Sequence, residues 1–206
     1  MEVLRIVTGV MSENCYVIYD ETKEAILIDP GETAFKTIEE LKKLELDLKY
    51  IVFTHGHFDH TRAYFKIRDE YKNALLAIGK NELEVVKDKN KSFLNTPGEI
   101  NPDILLSEND KITAGNFSLS VIETPGHTSG SICLYTKGHL ISGDTLFKEG
   151  MGRCDLPTGN LKEEVNSIIN KLFLLPEDTI VYPGHGEFST ILHEKNNNEV
   201  YSWLQN

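Results

Sequence analysis

Cysteine is scarce and cannot all be paired: Cys15, Cys133 and Cys154 are an odd number with no CxxC spacing. That argues against a disulfide framework and fits a reducing compartment. Long apolar runs are missing as well, and none approaches the roughly 18 residues a membrane span requires. The first residues show no basic stretch followed by an apolar one, so neither a signal peptide nor a membrane partner is expected. The cytoplasm is the expected location. Basic clusters are also lacking: 21 Lys and Arg stand against 32 Asp and Glu, a formal charge of −11. Nucleic acid is therefore not an expected partner, and a small-molecule substrate is. Internal repeats, linkers and low-complexity tracts are not evident. With 40% hydrophobic and 26% charged residues, the expectation is one α/β domain over 1–206, as a monomer or homodimer.

What is present is a regular series of short elements. Val3–Val7, Tyr16–Tyr19 and Ala25–Ile28 read as strands. Thr33–Leu44 carries Ala34, Ile38, Leu41 and Leu44 at helical spacing, and Tyr50–Phe53 is a continuous apolar run suited to a strand buried on both faces. His60–Tyr71 and Asn81–Lys87 read as helices around a strand at Leu75–Ile78, and Lys87–Pro102, with Pro97-Gly98, as a loop. Phe117–Ile122 follows as a strand, then a hairpin of Ile132–Tyr135 and His139–Ile141, and an irregular Gly-rich stretch over Gly143–Gly159. A helix at Leu161–Leu174, a strand at Thr179–Tyr182 and a terminal helix at His193–Leu204 complete the pattern.

The sharpest signal is Thr54-His55-Gly56-His57-Phe58-Asp59-His60, four potential metal ligands within six residues just after the Tyr50–Phe53 strand. Imidazole and carboxylate together suit zinc, iron or manganese rather than calcium. His127, Asp144 and His185 are each weak alone, since a His after Pro-Gly or an Asp after Gly is commonly a turn residue. Together they share a context: each follows a predicted strand and neighbours a glycine. Sites in open α/β folds gather at such strand ends. Seven ligands exceed what one tetrahedral ion takes, and the absence of thiolate argues against a structural zinc. Two divalent ions, zinc first with iron or manganese as alternatives, fit if one carboxylate bridges.

The ordered set His55-x-His57-x-Asp59-His60, His127, Asp144 and His185 resembles the metallo-β-lactamase superfamily, over the chain from its first strands to about Asn198. The resemblance implies a four-layer αββα sandwich, two mixed sheets flanked by helices. It also implies that His55, His57 and His127 hold one metal, that Asp59, His60 and His185 hold the other, and that Asp144 bridges them. Asp59 would further orient the attacking hydroxide. Asp29-Pro30-Gly31 resembles the family's Asp that supports the ligand loop from behind, and reads equally as a simple turn. Gly150-Met151-Gly152-Arg153-Cys154-Asp155, with Thr190-Ile191, Glu194 and Asn198, resembles the glyoxalase II (hydroxyacylglutathione hydrolase) branch, although Cys154 stands where Thr is usual.

That branch implies metal-dependent thioester hydrolysis. Only 21 residues follow His185, so a short bacterial form without the helical glutathione-binding domain is expected. The alternative is a mononuclear iron persulfide dioxygenase using His55, His127 and Asp144. Arg153 is either a clamp for a substrate carboxylate or a partner of Asp155. Cys154 is expected to be an inert, partly buried thiol, and Phe147 and Met151 to serve loop packing. His139 and His193 are expected to be surface or capping residues.

Overall fold

Alternating burial along the early strands decides how the layers stack. Residues 1–93 and 99–205 are described by this computed structural model, with side chains to 203; Pro97-Gly98 lies outside them. The first sheet is ordered β1 (Glu2–Thr8), β2 (Glu13–Tyr19), β3 (Glu24–Ile28), β4 (Asp47–Phe53), β5 (Leu75–Gly79) and β6 (Ile104–Leu106). Its first three strands are antiparallel and the rest parallel. In β2, Tyr16 and Ile18 turn toward one apolar cluster while Cys15 and Val17 turn toward another, the period of two that strand geometry imposes. β3 repeats this with Ile26 and Ile28 against Ala25 and Leu27.

The outward cluster is closed by α1 (Ala34–Lys43) through Leu41, and by α3 (Tyr64–Glu70) through Tyr64 and Ile67. Short α2 (Phe58–Thr61), α4 (Leu83–Lys87) and α5 (Lys89–Ser92) fill the turns between. The inward cluster joins the first sheet to a second, ordered β14 (Ser189–Thr190), β13 (Ile180–Pro183), β10 (His139–Gly143), β9 (Ile132–Thr136), β8 (Phe117–Glu123) and β7 (Lys111–Ala114). Leu119, Val121, Leu134 and Ile141 supply its half of that interface. Only the β10–β13 pairing is parallel in this sheet. Its outer face, with Cys133, Leu140 and Val181, is covered by α6 (Leu161–Asn170) and α7 (Ile191–Asn197). Three apolar clusters between four layers make the αββα sandwich of two mixed sheets flanked by helices.

Differences from the sequence pattern have local causes. The helix expected over His60–Tyr71 breaks because the Ala63 amide donates to Pro30 and Gly31 carbonyls rather than continuing the first turn. The terminal helix stops at Asn198, whose extended backbone lets its side chain take the Val200 amide and reach Gly150 and Glu194. The helix expected to Leu174 ends at Asn170 and gives way to a 3-10 turn over Leu172–Leu174. Within the expected loop after Lys87, Asp88 caps the single helical turn α5. The Gly-rich stretch contains a small ribbon, β11 (Leu146–Phe147) with β12 (Gly150–Met151). Among the described residues no helix is long and apolar enough to cross a membrane.

The two sheets are tied at one edge. The β2 residue Asn14 donates its backbone N–H to Gly184 and its side-chain amide to Pro183, and the Tyr16 hydroxyl donates to the same Pro183 carbonyl at 2.7 Å. The C-terminal ends of β4, β8, β10 and β13 all discharge their loops at this edge.

Candidate metal centre

Each strand end delivers one part of the ligand set. After β4 come His55, His57, Asp59 and His60, the last two from α2; after β8 comes His127; Asp144 follows β10 and His185 follows β13. The fold brings all seven together. His55, His57 and His127 converge with one ligand atom each within 4.8 Å of the others, and so do Asp59, His60 and His185. Asp144 stands between these groups. Its Oδ1 is 3.3 Å from His60 Nε2, while its Oδ2 is 3.7 Å from His127 Nε2 and 3.6 Å from His185 Nε2.

Such an approach requires the loops to carry almost no bulk. A Cβ on Gly184 would sit 2.2 Å from Asp144 Oδ1 and 2.7 Å from His60 Cε1, so only glycine lets the β13 loop reach the centre. Gly152 is constrained in the same way, its missing Cβ lying 1.9 Å from the Asp144 carbonyl oxygen.

Hydrogen bonds at the rear of each ring fix which nitrogen faces inward. His60 Nδ1 lies 3.1 Å from Asp29 Oδ2, His127 Nδ1 lies 2.8 Å from the Arg153 carbonyl, and His185 Nδ1 lies 3.2 Å from the Met11 carbonyl. Those oxygens only accept, so each Nδ1 carries a proton and Nε2 is the nitrogen turned toward the centre. His55 follows the same logic: Thr54 donates its hydroxyl to Asp29 Oδ2 and receives the His55 Nδ1 proton at 3.1 Å. His57 is the exception. Its Nδ1 lies 2.9 Å from His127 Nε2 and so faces the centre.

Burial first, then the neighbouring imidazoles His60 and His127, holds His55 well below its ordinary value. Burial and His127 lower His57 to about 3. Both rings are thus neutral and able to donate lone pairs. Burial also acts on His60 but is outweighed by the Asp144 and Asp29 carboxylates, which raise it well above the usual range. Asp144 is driven down in return, His60, His127 and His185 overcoming the burial that opposes ionisation.

Three buried polar atoms test whether a cation belongs here. His55 Nε2, His57 Nε2 and Asp144 Oδ1 have no hydrogen-bond partner, and orphaned buried polar atoms are rare and costly. Two of the three, His55 Nε2 and Asp144 Oδ1, lie on the inward side of the cluster, where a cation would satisfy them. Neutral imidazoles and ionised carboxylates are the donors that divalent zinc, iron or manganese take. The site fits divalent metal ions.

Asp29 is also near His55 and His60. Both of its oxygens are already engaged, Oδ1 by the Thr54 amide at 2.7 Å and Oδ2 by the Thr54 hydroxyl at 2.6 Å. It supports the ligand loop from behind rather than joining the ligands. Two further buried acids do similar work and carry no sequence signal. Glu82 accepts from the Gly56 amide at 2.7 Å and the Thr128 hydroxyl at 2.8 Å, clamping the β4 and β8 loops together. Glu164, on α6, accepts from the His127 amide at 2.8 Å. Each resembles any other Glu on a short amphipathic stretch, so only the fold reveals its partner.

The residues set apart by the sequence separate clearly. Arg153 pairs bidentately with Asp155 at 2.7 and 2.8 Å, and both side chains are exposed. Burial pushes the half-buried Cys154 thiol up to about 12, leaving it protonated. His139 stacks on Tyr182 and reaches its hydroxyl, and His193 pairs with Glu149. Met151 packs against the third apolar cluster, as its loop position leads one to expect, and together with Phe147 it also lines the cavity above the ligands.

A model of the metallo-β-lactamase superfamily matches residues 8–185. The hydroxyacylglutathione hydrolase GloC of Haemophilus influenzae is 33% identical over 199 residues, covering 90% of this chain and 91% of its own. Among solved structures, the BLEG-1 B3 metallo-β-lactamase aligns with a TM-score of 0.89 at 35% identity, over 96% of this chain and 98% of its own. ETHE1 from Myxococcus xanthus aligns at 0.82 and 28%, over 97% and 84%. With its two mixed sheets and its clustered His and Asp side chains at the strand ends, the chain belongs to the metallo-β-lactamase superfamily.

Proposed function

We propose that the protein hydrolyses thioesters at a dinuclear site. In this reading His55, His57 and His127 hold one ion, Asp59, His60 and His185 hold the other, and Asp144 joins them. The observation that carries it is the position of Asp144, whose two carboxylate oxygens reach toward both halves of a complete ligand set. When bound, the ions supply a Lewis acid for the carbonyl oxygen and lower the pKa of water from 15.7 toward about 7.

The chain supplies the rest. Asp59 Oδ2 lies 3.3 Å from His185 Nε2 and 3.7 Å from His60 Nε2. Burial opposes its ionisation, but the His185 and His60 contacts hold its carboxyl below the ordinary range. An ionised Asp59 accepts a hydrogen bond from the attacking hydroxide and so orients its lone pair toward the carbonyl carbon. A carbon–oxygen bond then forms, the carbon–sulfur bond breaks, and the thiolate departs with the electron pair. Thiolate is a good leaving group, so no side-chain acid is required. Similarity to GloC, named for a thioester substrate, supports this reading.

A second reading, oxidation of a thiol persulfide at a single iron on His55, His127 and Asp144, is favoured by the fold likeness to ETHE1. The full complement of second-site ligands favours hydrolysis. Metal-loaded protein should turn over S-lactoylglutathione or simpler thioesters and lose that activity on chelation. Absence of turnover on every thioester, together with oxygen uptake on glutathione persulfide at one iron per chain, would establish the second reading instead.

A further inference from the structure

We infer that the acyl arm of the substrate is apolar, and that the site is not built to hold the charged arm of glutathione; this rests on the thioester reading above. A cavity of about 540 Å³ opens over the ligands, within the ~300–1,000 Å³ of small-molecule sites. Apart from the ligands, its wall is Met11, Phe58, Phe93, Phe147, Met151 and Leu156, with Arg153. Two of these rings bracket the metal ligands. Phe147 stands edge-on to His185 with ring centres 6.2 Å apart, and Phe93 leans on His57 at 5.8 Å. Atoms next to a reacting carbonyl would therefore meet aromatic and thioether surface on both sides.

Charge points the same way. Glutathione carries two carboxylates and an ammonium, and each needs a partner when it leaves water. Among the described residues lining the cavity, Arg153 is the one Lys or Arg, and Asp155 already occupies its guanidinium at two positions. An apolar acyl chain loses nothing on entering this wall and gains about 0.8 kcal/mol per buried methylene, or roughly fourfold in affinity. A tri-ionic arm would forfeit hydration, with no unpaired Lys or Arg among the described residues lining the cavity to replace it.

The experiment uses metal-loaded protein and acetyl, butanoyl and hexanoyl thioesters of N-acetylcysteamine, an uncharged carrier, beside S-lactoylglutathione. kcat/KM should climb by up to about fourfold per added methylene and exceed that for S-lactoylglutathione at hexanoyl. Calorimetry should show hexanoate, the product acid, binding more tightly than acetate. Phe147→Ala should lose more with each longer chain, and Leu156→Ala provides the same reading if the first variant folds poorly. A flat or falling series, or S-lactoylglutathione preferred with that preference lost in Arg153→Ala, would overturn the inference. If no thioester turns over, the thioester reading itself falls. The two acids then decide the subsite alone: tighter hexanoate upholds it, equal binding refutes it.

Discussion

At the scale of single residues, the centre depends as much on atoms that are missing as on those present. Gly184 sits where a methyl group would collide with both Asp144 and His60. Gly184→Ala must therefore push the β13 loop outward, taking His185 with it. The expected result is a loss of about 10- to 100-fold in metal affinity, the range seen when a residue that orients ligands is changed, with the far-UV spectrum preserved. Competition with a chromogenic chelator checks it. The cluster of His and Asp side chains was legible in the sequence because His55, His57, Asp59 and His60 are crowded onto one turn. Asp29 was legible only as an alternative, since Asp-Pro-Gly is also a common turn. Glu82 and Glu164 were not legible, because nothing in a lone Glu announces that it will be buried.

Among elements, the loops after β4 and β8 are held in register by Glu82, which is fully buried. Burial raises its carboxyl to about 7, against the opposing pull of the Thr128 hydroxyl and the Gly56 and Gly130 amides. Its folded pKa thus exceeds the ordinary 4.5, and the stability it confers is complete below that value. That stability is lost as pH rises through about 7. Glu82→Gln removes the titration, so wild type should lose its advantage over the variant between pH 5 and 8, by up to about 3 kcal/mol. Chemical denaturation of both proteins across that range measures the narrowing, and a constant difference would contradict it. The same scale explains what periodicity could not show. Strands β6 and β7 are three and four residues long, too short for alternation to register, and the break before α3 is imposed by carbonyls of the distant Pro30 and Gly31. Longer elements with two buried faces, such as β4, were evident from sequence because their apolar runs are continuous.

For the whole molecule, the site lies where two sheets meet, so metal and fold should report on each other. The first sheet supplies His55, His57, Asp59 and His60, and the second supplies His127, Asp144 and His185. A cation that binds only the folded chain stabilises it by about 2.7 kcal/mol at a hundredfold excess over Kd. For a chain of this size that corresponds to roughly 5–10 °C in Tm. Chelation should lower Tm by that amount, and zinc, iron or manganese should restore it, as differential scanning calorimetry would show. A Tm indifferent to chelator would mean that the cluster holds no ion in solution.

If Asp144 joins two metal sites into one centre, removing its carboxylate must empty both. Elemental analysis of the purified wild-type protein and of Asp144→Ala, after loading with excess divalent metal and removal of the unbound ions, reads this out. Two ions per chain are expected in the wild type, and occupancy of both sites should fall together in the variant. One ion per chain in the wild type, or one site left fully occupied in Asp144→Ala, would contradict it.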